Sequence, residues 1–146
     1  MVSVMEIRGA ESGDAAGVAL LLGQLGYPAE EREVAERIGE WRDCALSCVL
    51  VAVDEGVAGV VALHAVPFFE RAGRRGRVVC LVVDERVRGS GLGGRLLRAA
   101  EGDAERLGCV EVELTSARER VEAHGFYGRM GYRDRCGESA RFLRLL

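Results

Sequence analysis

Apolar residues recur along this chain with two spacings, one of about two residues and one of three to four, and these divide it into strands and helices. Residues 4–8, 47–53, 57–66, 77–83 and 109–114 are rich in β-branched and apolar residues and read as strands. Asp54-Glu55-Gly56 joins the second and third of these as an antiparallel hairpin. Val18, Leu21, Leu22 and Leu25 fall on one face of a helix predicted over 14–25, which Gly26-Tyr27-Pro28 stops. A second helix, dense in Glu and Arg, is predicted over 29–42. A third, over 91–107, carries Leu92, Leu96, Ala100, Ala104 and Leu107 as a single stripe, with Gly108 where a C-terminal glycine belongs. Ser116-Ala117-Arg118-Glu119 has the spacing of a capping box, so a fourth helix is predicted from Ser116 to about Met130, ended by Gly131. Residues 67–76 read as a loop, and 132–135 with 141–145 as a closing hairpin. The order β-α-α-β-β-β-α-β-α-β-β is mixed, not strictly alternating. It predicts an α+β fold with one partly antiparallel sheet and helices on its faces.

Composition narrows the function classes. A chain of 146 residues with 49% hydrophobic content supports one domain, taken as 4–146, with one core. A net charge of −3 argues against the broad basic surface that nucleic-acid binding needs. All 20 basic residues are arginine, which fits a GC-rich coding sequence better than selection for phosphate contacts at every surface position. Cys44 and Cys48 are spaced CxxxC without a following His pair, and Cys80 and Cys109 lie in apolar runs; no metal is expected. An odd number of thiols points to a reducing cytoplasm. No apolar run approaches the roughly 20 residues of a membrane span, so no membrane partner is expected.

The candidate chemistry begins where the strand over 77–83 meets Arg88-Gly89-Ser90-Gly91-Leu92-Gly93-Gly94. Glycines there let the backbone approach an anion, and successive N–H groups at a helix start make a phosphate nest. Arg88 or Arg95 adds charge-assisted bonds. A Walker loop would need Lys and Ser or Thr after its last glycine, and here Arg95 and Leu96 follow. A dinucleotide fingerprint would need G-x-G-x-x-G near the first strand. A plain strand-to-helix turn needs one glycine, not four.

Arg88-x-x-Gly91-x-Gly93, five residues after Val83, resembles the pyrophosphate loop of the GNAT superfamily of N-acetyltransferases. Glu85 stands where that family often has proline. Residues 7–28 resemble its first strand and helix, with Asp14 as a helix-starting aspartate. Ala123-His124-Gly125-Phe126-Tyr127-Gly128-Arg129-Met130-Gly131-Tyr132 resembles its late A-H-x-F-Y-x-x-x-G-[FY] signature. The resemblance implies a mixed, mostly antiparallel sheet of about seven strands with about four helices. It implies acetyl-CoA as co-substrate and direct transfer to an amine in a ternary complex. Arg88, Gly89, Ser90, Gly91, Leu92, Gly93 and Gly94 would hold the pyrophosphate, and Leu81, Val82 and Val83 would pair with the pantetheine arm. A primary amine of a small molecule is the expected acceptor. A protein or peptide amine, or a CoA-binding sensor without turnover, is the alternative. A homodimer is left open.

Acyl transfer to an alkylamine of pKa near 10.4 must deal with a nucleophile that is only about 0.1% neutral near pH 7.4, a cost of roughly 4 kcal/mol. Tyr127 matches the family tyrosine that donates a proton to the leaving thiolate; otherwise it is a core residue. His124 precedes it by one helical turn, where it would orient the phenol or contact CoA; a capped or packed histidine is the simpler reading. Many relatives carry an acid three or four positions before the valine that Val83 matches. Here those positions are Val79 and Cys80, so the base is unassigned. Glu113, with Glu111 beside it on the alternating strand, and His64 are the candidates for base or relay; a salt-bridged strand face is the simpler reading of the glutamates. The family's variable parts, the first two helices and the 67–76 loop, should bind the acceptor. Tyr27, Trp41, Phe68 and Phe69 offer apolar contact there. Glu30, Glu31, Glu33 and Glu70 would attract a cation, and Arg71, Arg74 and Arg75 an anion.

Overall fold

In the computed structural model, which describes residues 5–146, a five-stranded sheet takes up the predicted strands. Its strands are β1 (Glu6–Gly9), β2 (Ser47–Val53), β3 (Val57–Pro67), β4 (Arg74–Val83) and β5 (Cys109–Leu114), in that spatial order. Neighbours are antiparallel except β4 and β5, which run parallel. The predicted start of the first strand at Val4 lies outside the described residues. Helices α1 (Ala15–Leu25), α2 (Glu31–Arg42), α3 (Leu92–Arg106) and α4 (Val121–Arg129) complete the fold. The chain divides into two compact units, one ending at Thr115 and the other Ser116–Leu146.

In the first unit the helices sandwich the sheet. Val18 and Leu21 of α1 and Val34 and Ile38 of α2 bury against Val51, Val60 and Val82. Alternation then sends Gly59, Val61 and Leu63 to the opposite face. There α3 packs so closely that a Cβ on Gly59 would stand 2.7 Å from Leu96. The predicted α3 stripe supplies this layer: Leu92, Leu96, Ala100 and Ala104 are buried, with Leu97 beside them. Asp14 fastens the start of α1 to β1. Its carboxylate accepts two bonds from Arg8 (2.8 and 2.9 Å) and one from the Glu11 amide (2.8 Å). The Arg8 bond holds that carboxyl below the usual range.

Three expectations are corrected. The sheet has five strands, not about seven, because 132–135 and 141–145 make no ladder. Arg133, Asp134 and Arg135 offer nothing apolar to bury, and the chain spends its bonds on a local turn, Glu138 N–H to Arg135 O (2.9 Å) and Cys136 N–H to Asp134 (2.9 Å). The helix expected from Ser116 starts at Val121, because the Ala117 carbonyl closes a separate turn with the Arg120 amide (3.0 Å). Strand β4 starts at Arg74, inside the segment read as a loop. Among the described residues, no helix is long and apolar enough to cross a membrane and no cluster of three or more His, Cys, Asp or Glu could hold a metal.

Candidate active site

The site is organised by one irregularity in β4. Its register with β3 pairs Ala62 with Cys80 and Leu63 with Val78, so Val79 is a surplus residue, a β-bulge. Pairing with β5 also ends there, at Val78 opposite Leu114. From 80 to 83 the strand is paired with β3 on one edge, and within its unit no strand covers the other. Val82 is buried under α1 and α2, while Leu81 and Val83 are half-buried. An extended ligand can add to such an edge by main-chain hydrogen bonds.

The open edge runs into the glycine turn. Asp84 closes β4 through its amide on Ala58 O (2.8 Å). Its buried carboxylate accepts from the Arg86 side chain (2.6 and 3.1 Å), the Arg86 amide (3.1 Å) and Gln24 (3.4 Å). These bonds, Arg86 first, hold its pKa down at about 2. Gln24 of α1 also accepts from the Glu85 amide (3.0 Å), so α1 braces the turn beside a cleft of about 490 Å³. Neither Gln24 nor Asp84 was among the sequence candidates; a polar residue on α1 gives no local sign of a partner sixty positions away.

Gly89 and Gly91 adopt φ of +83° and +86°, a region that a side chain disfavours. A Cβ on either would meet nothing within 4 Å, so conformation and not crowding explains them. Gly91 is the N-cap of α3 and carries no side-chain cap, and Arg95 makes the first helical bond back to Gly91 O (3.2 Å). The amides of Leu92, Gly93 and Gly94 therefore have no intrahelical acceptor and lie at the positive end of a fifteen-residue helix. Exposed Ser90 lies in this turn. Arg88 folds its Nε onto Val83 O (3.2 Å), leaving the rest of its guanidinium beside the turn, while Arg95 reaches Met5 O (3.0 Å).

On the other side of the bulge β4 changes character. Register puts Arg77 opposite His64 and Arg75 opposite Val66, on the face that α1 and α2 cover further along. Parallel pairing puts Glu113 beside Arg77 and Glu111 beside Arg75. Arg77 bonds Glu113 (2.8 Å), Arg75 reaches Glu113 (3.5 Å) and Glu111 (2.7 Å), and Arg71 reaches Glu111 (3.2 Å). The Arg75 bond lowers the Glu111 pKa. Phe68 lies under Arg71, whose guanidinium carbon is 3.8 Å from the ring centre. Both candidate glutamates are thus members of a salt-bridged ladder. Arg74 turns away to Leu107 O (2.6 Å).

His64 stands next to this ladder. Its Nδ1 is 2.7 Å from Ser47 Oγ and its ring meets Trp41 edge-on at 6.3 Å. Ser47 in turn bonds Cys44 and, with the Leu46 amide, lowers that thiol's pKa. Of the two positions where relatives carry an acid, Val79 is half exposed at the bulge and Cys80 is a thiol that burial pushes up to about 11.

In the second unit, Tyr127 lies on α4, half-buried, its ring 5.3 Å from Phe126 and 6.3 Å from Tyr132. His124 bonds Ala117 O through Nε2 (2.9 Å), a capping role for the turn ahead of the helix. Tyr27 and Phe69 are exposed in the first unit.

The model of the acetyltransferase (GNAT) family matches residues 16–132. Glucosamine 6-phosphate N-acetyltransferase 1 of Oryza sativa subsp. japonica is 38% identical over 88 residues, 58% of this chain and 52% of that protein. Aminoalkylphosphonate N-acetyltransferase of Salmonella typhimurium is 36% identical over 77 residues, 53% of this chain and 50% of that protein. The chain thus spans about half the length of the curated relatives it matches. The crystal structure of an aminoglycoside N-acetyltransferase in complex with CoA superposes with a TM-score of 0.86 over 99% of this chain and 97% of that one; at 16% identity this is a likeness of fold.

Proposed function

The chain belongs to the acetyltransferase (GNAT) family, and from that premise we propose that it transfers the acetyl group of acetyl-CoA directly to a primary amine of a small molecule. The observation that carries this reading is the opening of the sheet at Val79, continuous with the bare amides of the glycine turn. The amides of Leu92, Gly93 and Gly94, with Arg88 and the turn of Gly89, Ser90 and Gly91, have the chemistry to hold a pyrophosphate. The edge formed by Leu81, Val82 and Val83 has the main-chain donors and acceptors for the pantetheine amides. Five residues of strand, about 17 Å, separate the turn from the bulge, where the thioester would lie. The family match runs from 16 to 132, across the boundary at Thr115, which supports reading 4–146 as a single domain.

In the transfer the amine nitrogen bonds the thioester carbon, the C–S bond breaks, and one proton leaves the amine while one reaches the thiolate. Tyr127, by its place in the late family motif, is the proposed donor to sulfur. For the amine's proton we favour His64 over Glu113. Both oxygens of Glu113 are taken by guanidiniums, whereas His64 donating Nδ1–H to Ser47 leaves Nε2 as an acceptor. The two curated relatives are named for small phosphorylated or phosphonate amines, and this supports a small-molecule acceptor. Five free thiols support a reducing, cytoplasmic setting.

Titration with acetyl-CoA followed by thiol release against an amine panel tests the proposal. Tight binding with amine-dependent thiol release is expected. Binding without turnover on any amine or peptide would turn the reading into a CoA sensor, and no binding would overturn it.

A further inference from the structure

We propose that the acceptor is a short primary amine whose other end carries an oxyanion, and that Arg71 and Arg75 recognise that oxyanion. This deepens the acetyltransferase reading and rests on it.

The order of groups along β4 points to this acceptor. Nearest the bulge stands the Arg77–Glu113 pair; two residues further from it, about 7 Å along the strand, stands Arg75 with Glu111, and then Arg71 over Phe68. At the end nearest the place where an amine must attack, Arg77 and Glu113 pair one to one; at the far end Arg71 and Arg75 share Glu111, with Glu70 in Coulombic range of Arg75. The donors of these two arginines are not used up. Among the described residues Arg71 engages a carboxylate through Nη2 alone, and Arg75 through Nε and Nη1. An arginine has five N–H donors in a planar fork that fits an oxyanion. The ring of Phe68 fixes the plane of the Arg71 guanidinium, and Glu111 holds Arg75, so both forks are set before a ligand arrives. Glu111 is at once the brace and the competitor of the incoming anion. With side chains 37–49% exposed, these arginines remain reachable.

The test measures thiol release from acetyl-CoA with ω-aminoalkylphosphonates, amino-sugar phosphates, ω-amino carboxylates and neutral alkylamines of matched length. At least tenfold higher kcat/KM for one anionic series over the neutral amines is expected, and the series that wins identifies the oxyanion. Arg71→Gln and Arg75→Gln should each raise KM for that acceptor about tenfold or more while leaving acetyl-CoA affinity and the neutral-amine KM unchanged. Glu111→Gln should lower the same KM, a change opposite in sign to what damage to the fold would give. Equal use of neutral and anionic amines overturns the inference while leaving the acetyltransferase intact. So do KM increases of equal size for both in the arginine variants. Acetyl-CoA that binds but yields no thiol with any of the amines overturns the acetyltransferase reading and this inference together.

Discussion

The two halves of β4 make opposite use of the same backbone. Beyond the bulge, residues 79–83 and the turn after them present amides and carbonyls, and the side chains there are apolar or held by their own neighbours. Before it, residues 74–78 present guanidiniums locked to carboxylates on β5. A nucleotide thioester common to every turnover can be met by main chain, which changes little with sequence so long as glycine supplies the needed φ. An acceptor that differs from enzyme to enzyme has to be met by side chains. The contrast predicts that damage to one half should spare the task of the other.

The largest effect is expected from neither half. Tyr127→Phe removes the proposed donor and should lower kcat about 100-fold, with the Kd for acetyl-CoA unchanged in calorimetry. If only that Kd rises, Tyr127 belongs with the cofactor-binding turn and the donor role is gone. Gly91→Val breaks the cofactor half. A β-branched residue at φ +86° costs about 2 kcal/mol of backbone strain or a remodelled turn. Affinity for acetyl-CoA should then fall about 30-fold, while the KM of the acceptor stays the same. An unaltered affinity would remove the amide nest from the argument. His64→Gln probes the acceptor half: kcat/KM for the amine should fall about tenfold with the Kd for acetyl-CoA unchanged, and an unaltered kcat/KM would leave His64 a packing residue.

The smallest effect concerns Asp84, which closes the second half of the strand. Asp84 is held at a pKa of about 2 in the fold, below the roughly 3.9 of a free aspartate, so its bonds contribute stability above about pH 4 and lose it as pH falls towards 2. Asp84→Asn should melt a few degrees lower than the parent at neutral pH, and the gap should close on acidification. A gap that is constant with pH would assign the loss to shape, not charge.

Local pattern was enough for much of this. Strands β2 and β5 have the limits their β-branched runs predict, and α3 follows its apolar stripe to within a residue at each end. The predicted stops at Gly26, Gly108 and Gly131 all have positive φ. What stayed hidden depends on partners far away in the chain. Arg74 and Arg75 look like loop because their partners, the Leu107 carbonyl and Glu111, are in reach only when β5 lies alongside. The alternating glutamates were legible as a strand face, but not which arginines would claim them. The capping-box pattern at Ser116 lost to a turn that answers to His124. The bulge at Val79 had no signal in the sequence, since an unbroken apolar run does not reveal where one residue goes unpaired.

That unpaired residue has a further effect on the strand. Side chains on a regular strand alternate, and with Val82 and Cys80 turned towards α1 and α2, strict alternation would put Gly76 and Val78 on that side and drive Arg75 and Arg77 into the oily layer under α3. Val79 shifts the phase by one. A single inserted position thus lets the strand line the core with its second half and carry charge on the same side with its first, and removing it would turn the whole leading segment inside out.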